Sequence, residues 1–304
     1  LTEGENSDAI FAWSQDAEVT VAANQIRTSG NFSEGIYARG KSVVEVYAGT
    51  IVATGKDSNG ILSLSDTDEQ RVTISGTVLG GWGAGSGLLL EESAKSRLTI
   101  DAGAAVGALS DSAISQDDDN LTLNNSGAVI GSFVVDDGDD ELNNNQGAAI
   151  HLRQFADTDG DLTRDKEGVA LGNFDTDKDT FDNLGVVRLA TVSGATAWDT
   201  TGQILHPGGG NSDITQEGVE QGFLLGLESF NHAGLITLSD GVAGDLLVIT
   251  DQADGKTKGA NVFTSNGGSL ALDVVLDDGG SKQSDVLILD KAETGTGATR
   301  VLIS

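Results

Sequence analysis

The 304-residue sequence predicts an all-β fold, a right-handed parallel β-helix with loop insertions in its middle. Three observations predict it. The first is a motif of Ser, one residue, a small residue, then Ile or Leu. It reads Ser7-Asp8-Ala9-Ile10, Ser33-Glu34-Gly35-Ile36 and Ser58-Asn59-Gly60-Ile61, then the shorter Ser86-Gly87-Leu88, then Ser112-Ala113-Ile114. Its apolar members at 10, 36, 61, 88 and 114 stand 26, 25, 27 and 26 residues apart. The second is an alternating β pair running in phase with the first motif. Val44-Glu45-Val46 leads to Gly49, Val72-Thr73-Ile74 to Gly76, Leu98-Thr99-Ile100 to Gly103, and Leu121-Thr122-Leu123 to Gly127. The third is composition. There are 42 Gly for tight corners and only 9 Phe, 3 Trp and 2 Tyr, which suits a narrow aliphatic interior.

Each period therefore holds about three short β segments between Gly, Asn, Ser and Asp, with no helix-period stretch. A unit of that length is one coil of a stacked solenoid. A propeller blade needs about 40 residues or more, and no leucine-rich consensus runs in register. If all residues coiled, there would be roughly 11 coils in a rod on the order of 50 Å long.

The chain divides into three regions. Residues 1–154 read as regular coils. Within them the repeat shortens near 115, where Asn124-Asn125-Ser126-Gly127 and Asn143-Asn144-Asn145-Gln146-Gly147 begin an Asn-x-Gly step. Asn tolerates left-handed backbone and can stack as a side-chain ladder. Residues 155–222 read as irregular loop insertions, although Phe181-Asp182-Asn183-Leu184-Gly185 repeats the Asn step. Residues 223–304 read as C-terminal coils, with dense strand runs at 245–249, 269–276 and 284–289. The final strand Arg300-Val301-Leu302-Ile303 carries no cap, so the natural chain is expected to continue past Ser304.

Charge excludes some functions. With 47 acidic and 17 basic residues the net charge is −30. Phosphate neutralisation needs clustered Lys and Arg, so nucleic acid is not the expected partner, and anionic membranes are disfavoured. Cysteine is absent, which excludes disulfides and thiol chemistry. Methionine is absent too, so Leu1 reads as the start of a processed or excised chain.

The Ser-x-Gly-Ile ladder of 1–115 resembles the passenger of a monomeric type V autotransporter, of the alphaproteobacterial kind. So does the stretch Gly241-Val242-Ala243-Gly244-Asp245-Leu246-Leu247-Val248-Ile249, continued by Gly267-Gly268-Ser269-Leu270-Ala271-Leu272-Asp273 and by Ser284-Asp285-Val286-Leu287-Ile288-Leu289. The resemblance implies a chain that crosses the outer membrane unfolded and folds at the bacterial surface. It also implies a translocator β-barrel elsewhere in the full-length chain and an autochaperone-like C-terminal end. Absent cysteines fit such threading.

Candidate site residues are few. Asp157-Thr158-Asp159-Gly160-Asp161 resembles the start of an oxygen-ligand calcium loop, with Asp157, Asp159 and Asp161 as ligands. A full EF-hand would need Glu at 168, which is Gly168. The bland alternative is a solvated acidic loop. Trp13, Trp82 and Trp198 are possible contact residues, Trp82 and Trp198 foremost, because aromatics anchor interfaces. Packing at a coil corner explains them equally well. His151, His206 and His232 are scattered, and no nucleophile elbow or metalloprotease motif appears. The chain is therefore not expected to be an enzyme.

The expected function is adhesion at the bacterial cell surface, through a host protein, a matrix protein or glycan, or self-association. The alternatives are a structural stalk presenting an N-terminal effector, and a glycan-active enzyme using paired carboxylates.

Overall fold

The computed structural model describes residues 1–66, 69–117, 120–136, 138–152, 156–160, 170–175, 177–189, 197–198, 204–205, 219–252, 261–275 and 283–304. The architecture is a parallel β-helix. Strands stack in three ladders, each pairing only in parallel. The first ladder runs Ile10–Ser14, Ile36–Gly40, Ile61–Ser65 and Ser86–Glu91, then the second halves of Ala105–Gln116 and Ala128–Val135. It continues through Ala170–Asn173, Gln221–Leu225, Leu246–Ile249 and Val286–Leu289. The second begins with the first halves of Val19–Thr28 and Val44–Ala53. It continues through Glu69–Ile74, Lys95–Ile100, Asn120–Asn125, Glu141–Asn144, Thr180–Asn183, Ser229–His232, Val262–Asn266 and Lys291–Gly297. The third takes the remaining halves of the four long strands, then Thr77–Gly80, Ala149–Leu152, Val186–Leu189, Leu235–Thr237, Ser269–Leu272 and Arg300–Ile303. One strand from each ladder makes a coil. Coils 1 to 10 at about 4.8 Å per step give a stack about 45 Å long.

The sequence period is the structural register. Ile10 faces Ile36, Ile36 faces Ile61, Ile61 faces Leu88 and Leu88 faces Ile114. Beyond Ile114 the partners are Phe133, Gly172, Leu224, Ile249 and Leu289, at steps of 19, 39, 52, 25 and 40 residues. The two longest steps arise at one corner. The chain leaves the third ladder at Leu152 and Leu189 and rejoins the first at Ala170 and Gln221. The segment 155–222 is thus not loop throughout. Ala170–Asn173, Thr180–Asn183 and Val186–Leu189 form a complete coil between its two excursions.

Strand alternation sends one set of side chains inward. Val21, Val46, Val72, Leu98 and Leu123 fill the early coils as one continuous aliphatic core. The expectation that few aromatics fit inside needs correction for the later coils. Phe133, Phe174, Phe181, Phe230 and Phe263 are all buried, with successive ring centroids 5.4, 6.3, 4.8 and 5.4 Å apart.

Corners must satisfy backbone groups that the ladders leave over. The motif serines do so: Ser33 Oγ accepts the amide of Ser7 at 2.9 Å and donates to the carbonyl of Gly4 at 3.0 Å. Ser58 repeats this one coil on, accepting from Ser33 at 3.0 Å and donating to Gly30 at 3.1 Å. Gly55 is required because an added Cβ would lie 1.9 Å from the Gly30 carbonyl oxygen. Left-handed backbone recurs at Asn6, Phe32, Asp57 and Gly83 of that same corner.

The Asn steps form the expected ladder between the second and third strands. Asn125 Nδ2 donates to Asn144 Oδ1 at 2.9 Å, and Asn144 Nδ2 donates to Asn183 Oδ1 at 2.8 Å. Their amides also donate to the carbonyls of Ala149 and Val186 at 3.1 Å each. His232 extends the column, its Nδ1 3.3 Å from Asn183 Nδ2 and its Nε2 3.1 Å from the Ser269 carbonyl. A neutral ring protonated at Nε2 satisfies both contacts, and burial holds its pKa below the ordinary histidine value.

Candidate binding face

Outward side chains of the first ladder meet in coils 1 and 2. Phe11 follows Ile10 and Trp13 follows Ala12, so alternation turns both aromatics to solvent. Their exposures are 63% and 55%. Across the ladder Phe11 faces Tyr37 and Trp13 faces Arg39. The Phe11 and Tyr37 rings stack with centroids 4.8 Å apart and planes 13° apart. Phe11, Trp13, Gln15, Tyr37, Arg39 and Asp66 line a groove of about 470 Å³.

Arg39 is held in place at the groove edge. Its guanidinium reaches Asp66 Oδ1 at 3.1 Å and Glu92 Oε2 at 3.0 Å, so two carboxylates answer one cation. Large apolar side chains cost free energy when left in water, about 25 cal/mol per Å². A row of them beside fixed polar groups has the composition of a recognition surface.

The expected site residues lie elsewhere and are not gathered with this face by any contact described. Asp157 is buried, and its Oδ1 accepts the amides of Asp159 at 3.2 Å and Gly160 at 2.6 Å. Asp159 is exposed, and Asp161 lies outside the described residues. Among the described residues no group of three or more His, Asp or Glu is arranged to hold a metal ion. Trp82 is half-buried, with the Lys56 ammonium 5.5 Å from its ring. A Cβ on Gly160 would lie 2.7 Å from its Nε1, so the indole packs the 156–160 loop onto the corner. Ala197–Trp198 pairs antiparallel with Ile204–Leu205, but the Trp198 side chain lies outside the described residues.

Several buried carboxylates have strongly raised pKa values, which is a common mark of catalysis. Here the geometry gives them a structural role. Before the second-ladder strands, Leu121 donates its amide to Asp140 Oδ1 at 2.6 Å. Asp140 donates to Asp179 Oδ1 at 2.8 Å, and Asp179 to Glu228 Oε2 at 2.7 Å. Before the first-ladder strands, Glu220 donates to Asp245 Oδ1 at 2.8 Å and Asp245 to Asp285 Oδ1 at 3.1 Å. Each carboxylate thus bridges coils through a backbone amide. Burial pushes Asp140 up to about 8, and Asp179 and Asp245 to about 7, against the lowering effect of those amide bonds. Burial likewise lifts Glu34 to about 7, where it accepts the Asn59 amide.

Sequence reading weighed Trp13 but missed Phe11, Tyr37 and Arg39. The signal was available: Phe11 and Tyr37 stand one residue past the motif isoleucines and share their 26-residue interval. No family model matches the chain, nor does any curated protein or any solved structure.

Proposed function

We propose that this chain is an adhesive passenger displayed at a bacterial cell surface. The observation that carries the reading is the row of exposed aromatics, Phe11, Trp13 and Tyr37, fixed on a rigid ladder. Adhesion needs a stiff spacer and an exposed contact surface. A β-helix supplies the first, because every coil is hydrogen-bonded to its neighbours. The corner excursions at 153–169 and 190–220 supply further exposed segments of the kind that carry binding. The autotransporter resemblance supports the surface location, export across an outer membrane and a translocator barrel in the full-length chain. A glycan-active enzyme is the weaker reading, since the most perturbed carboxylates serve corner backbone amides.

The test is solid-phase binding of the purified chain to host cells and matrix proteins, in calcium and in EDTA. Saturable binding is expected. Loss in EDTA assigns calcium to the 157–161 loop, whereas equal binding in both media removes it. A folded chain that binds no cell, no matrix protein and no second copy of itself sinks adhesion and leaves the stalk.

A further inference from the structure

We propose that the groove between Phe11, Trp13, Tyr37 and Arg39 binds a neutral saccharide, a ligand class that deepens the adhesive reading and rests on it. The chemistry of the groove selects the class. One side of a pyranose ring presents C–H bonds carrying slight positive charge. These favour the negative face of an aromatic ring. Phe11 and Tyr37 offer stacked faces along the first ladder, and Trp13 stands beside them on the same strand face. The rim of a sugar presents hydroxyls that both donate and accept. Gln15 offers an amide able to do both, Asp66 offers carboxylate oxygens, and Arg39 offers guanidinium hydrogens, all lining the same groove.

Charge selects neutral over acidic sugars. Arg39 is the groove's cation, and Asp66 and Glu92 already engage it. The chain as a whole carries −30. A sulfated, sialylated or uronic-acid polymer would meet net repulsion at close range and from afar. Size argues against a folded protein as the primary occupant. A stable protein interface buries about 800 Å² on each side, far more than the six residues of this groove present.

Outward side chains contribute little to the core, so their removal leaves the coils intact. That makes the test direct. The full chain is titrated by calorimetry with hexasaccharides of β-1,4-glucose, β-1,3-glucose, N-acetylglucosamine and mannose, and with heparin hexasaccharide. Trp13→Ala and Tyr37→Ala are titrated alongside, after circular dichroism shows parental β structure. We expect one neutral hexasaccharide to bind, heparin to fail, and each variant to lose affinity about tenfold or more, as anchor aromatics do. Trp13→Phe restores an aromatic face and should recover most of the affinity. Binding of heparin alone, binding unchanged by both variants, or no binding by any neutral sugar overturns the inference. Cell or matrix binding that survives all three results leaves adhesion standing while the saccharide site falls. Saccharide binding by a chain that attaches to no cell or matrix does the reverse.

Discussion

Replacing Asp140 with Asn should change the sign of its effect on stability between acid and alkaline pH. Asp140 is buried, its Oδ1 accepts the Leu121 amide, and its Oδ2 has no partner. Burial raises its pKa to about 8 from 3.8, aided by the charges of Asp179, Asp139 and Asp177. A carboxyl with a raised folded pKa favours the fold in acid, and that contribution is lost as pH rises through the folded value. At about 1.4 kcal/mol per unit, ionisation costs the fold on the order of 1 kcal/mol at pH 4.5 and 5 kcal/mol at pH 8. Asparagine keeps the Oδ1 acceptor and cannot ionise. Asn261, just before the Val262 strand, shows that this corner column admits an amide. The new Nδ2 hydrogens take the place of an unpartnered oxygen, which costs about 2 kcal/mol. The net is a loss of about 1 kcal/mol at pH 4.5 and a gain of about 3 kcal/mol at pH 8. Urea midpoints of parent and variant, compared every half unit from pH 4.5 to 8.5, read this directly. A difference that stays constant with pH would refute the argument that Asp140 is held protonated inside the corner.

Three further outcomes follow from the corners. Asn144→Leu removes two donated bonds and one accepted bond from the buried column, so it should cost about 3 kcal/mol or more in chemical denaturation; a cost under 1 kcal/mol would mean the column adds nothing. His232 has the opposite pH sense to the acids: its lowered pKa means that its contribution is complete above the unfolded value of 6.5 and is lost as pH falls below it. His232→Asn continues the column and should abolish that acid-side loss, seen as a smaller shift in urea midpoint between pH 7.5 and 5. Phe32 holds φ of +51° at a corner where Asn6 and Asp57 adopt the same backbone. Left-handed backbone costs a side chain such as Phe about 1–2 kcal/mol, so Phe32→Asn should stabilise by about 1 kcal/mol; an unchanged or lower melting midpoint counts against it.

The early coils were legible because stacking converts a sequence interval into a spatial contact. Ile10, Ile36, Ile61, Leu88 and Ile114 are chain neighbours by 25 to 27 residues and ladder partners in space. The later coils were less legible for two physical reasons. Excursions at one corner lengthen the step without disturbing the ladder, and the partners there change type. Phe133, Gly172 and Leu224 share a register position but no chemistry. Gly172 is small because Phe133 and Leu224 fill the space a side chain would take. The Asn column was legible from its steps, but its last member was not, since a histidine replaces the amide at 232. The binding face was half-legible. Inward isoleucines set the period, and the outward Phe11 and Tyr37 beside them share it. Only the structure brings Arg39 and Asp66 together, because that contact spans 27 residues of chain.

The one-to-one match between interval and register has a genetic consequence. Removing or duplicating a stretch such as 36–60 would excise or add one whole rung, with Ile10 then facing Ile61 as it now faces Ile36. Serine would still meet serine at the corner, and glycine would still meet glycine. Unequal recombination between such near-identical segments is therefore a mutation the fold tolerates. It lets a lineage lengthen or shorten the rod in single-rung increments while the aromatic pair at one end stays as it is.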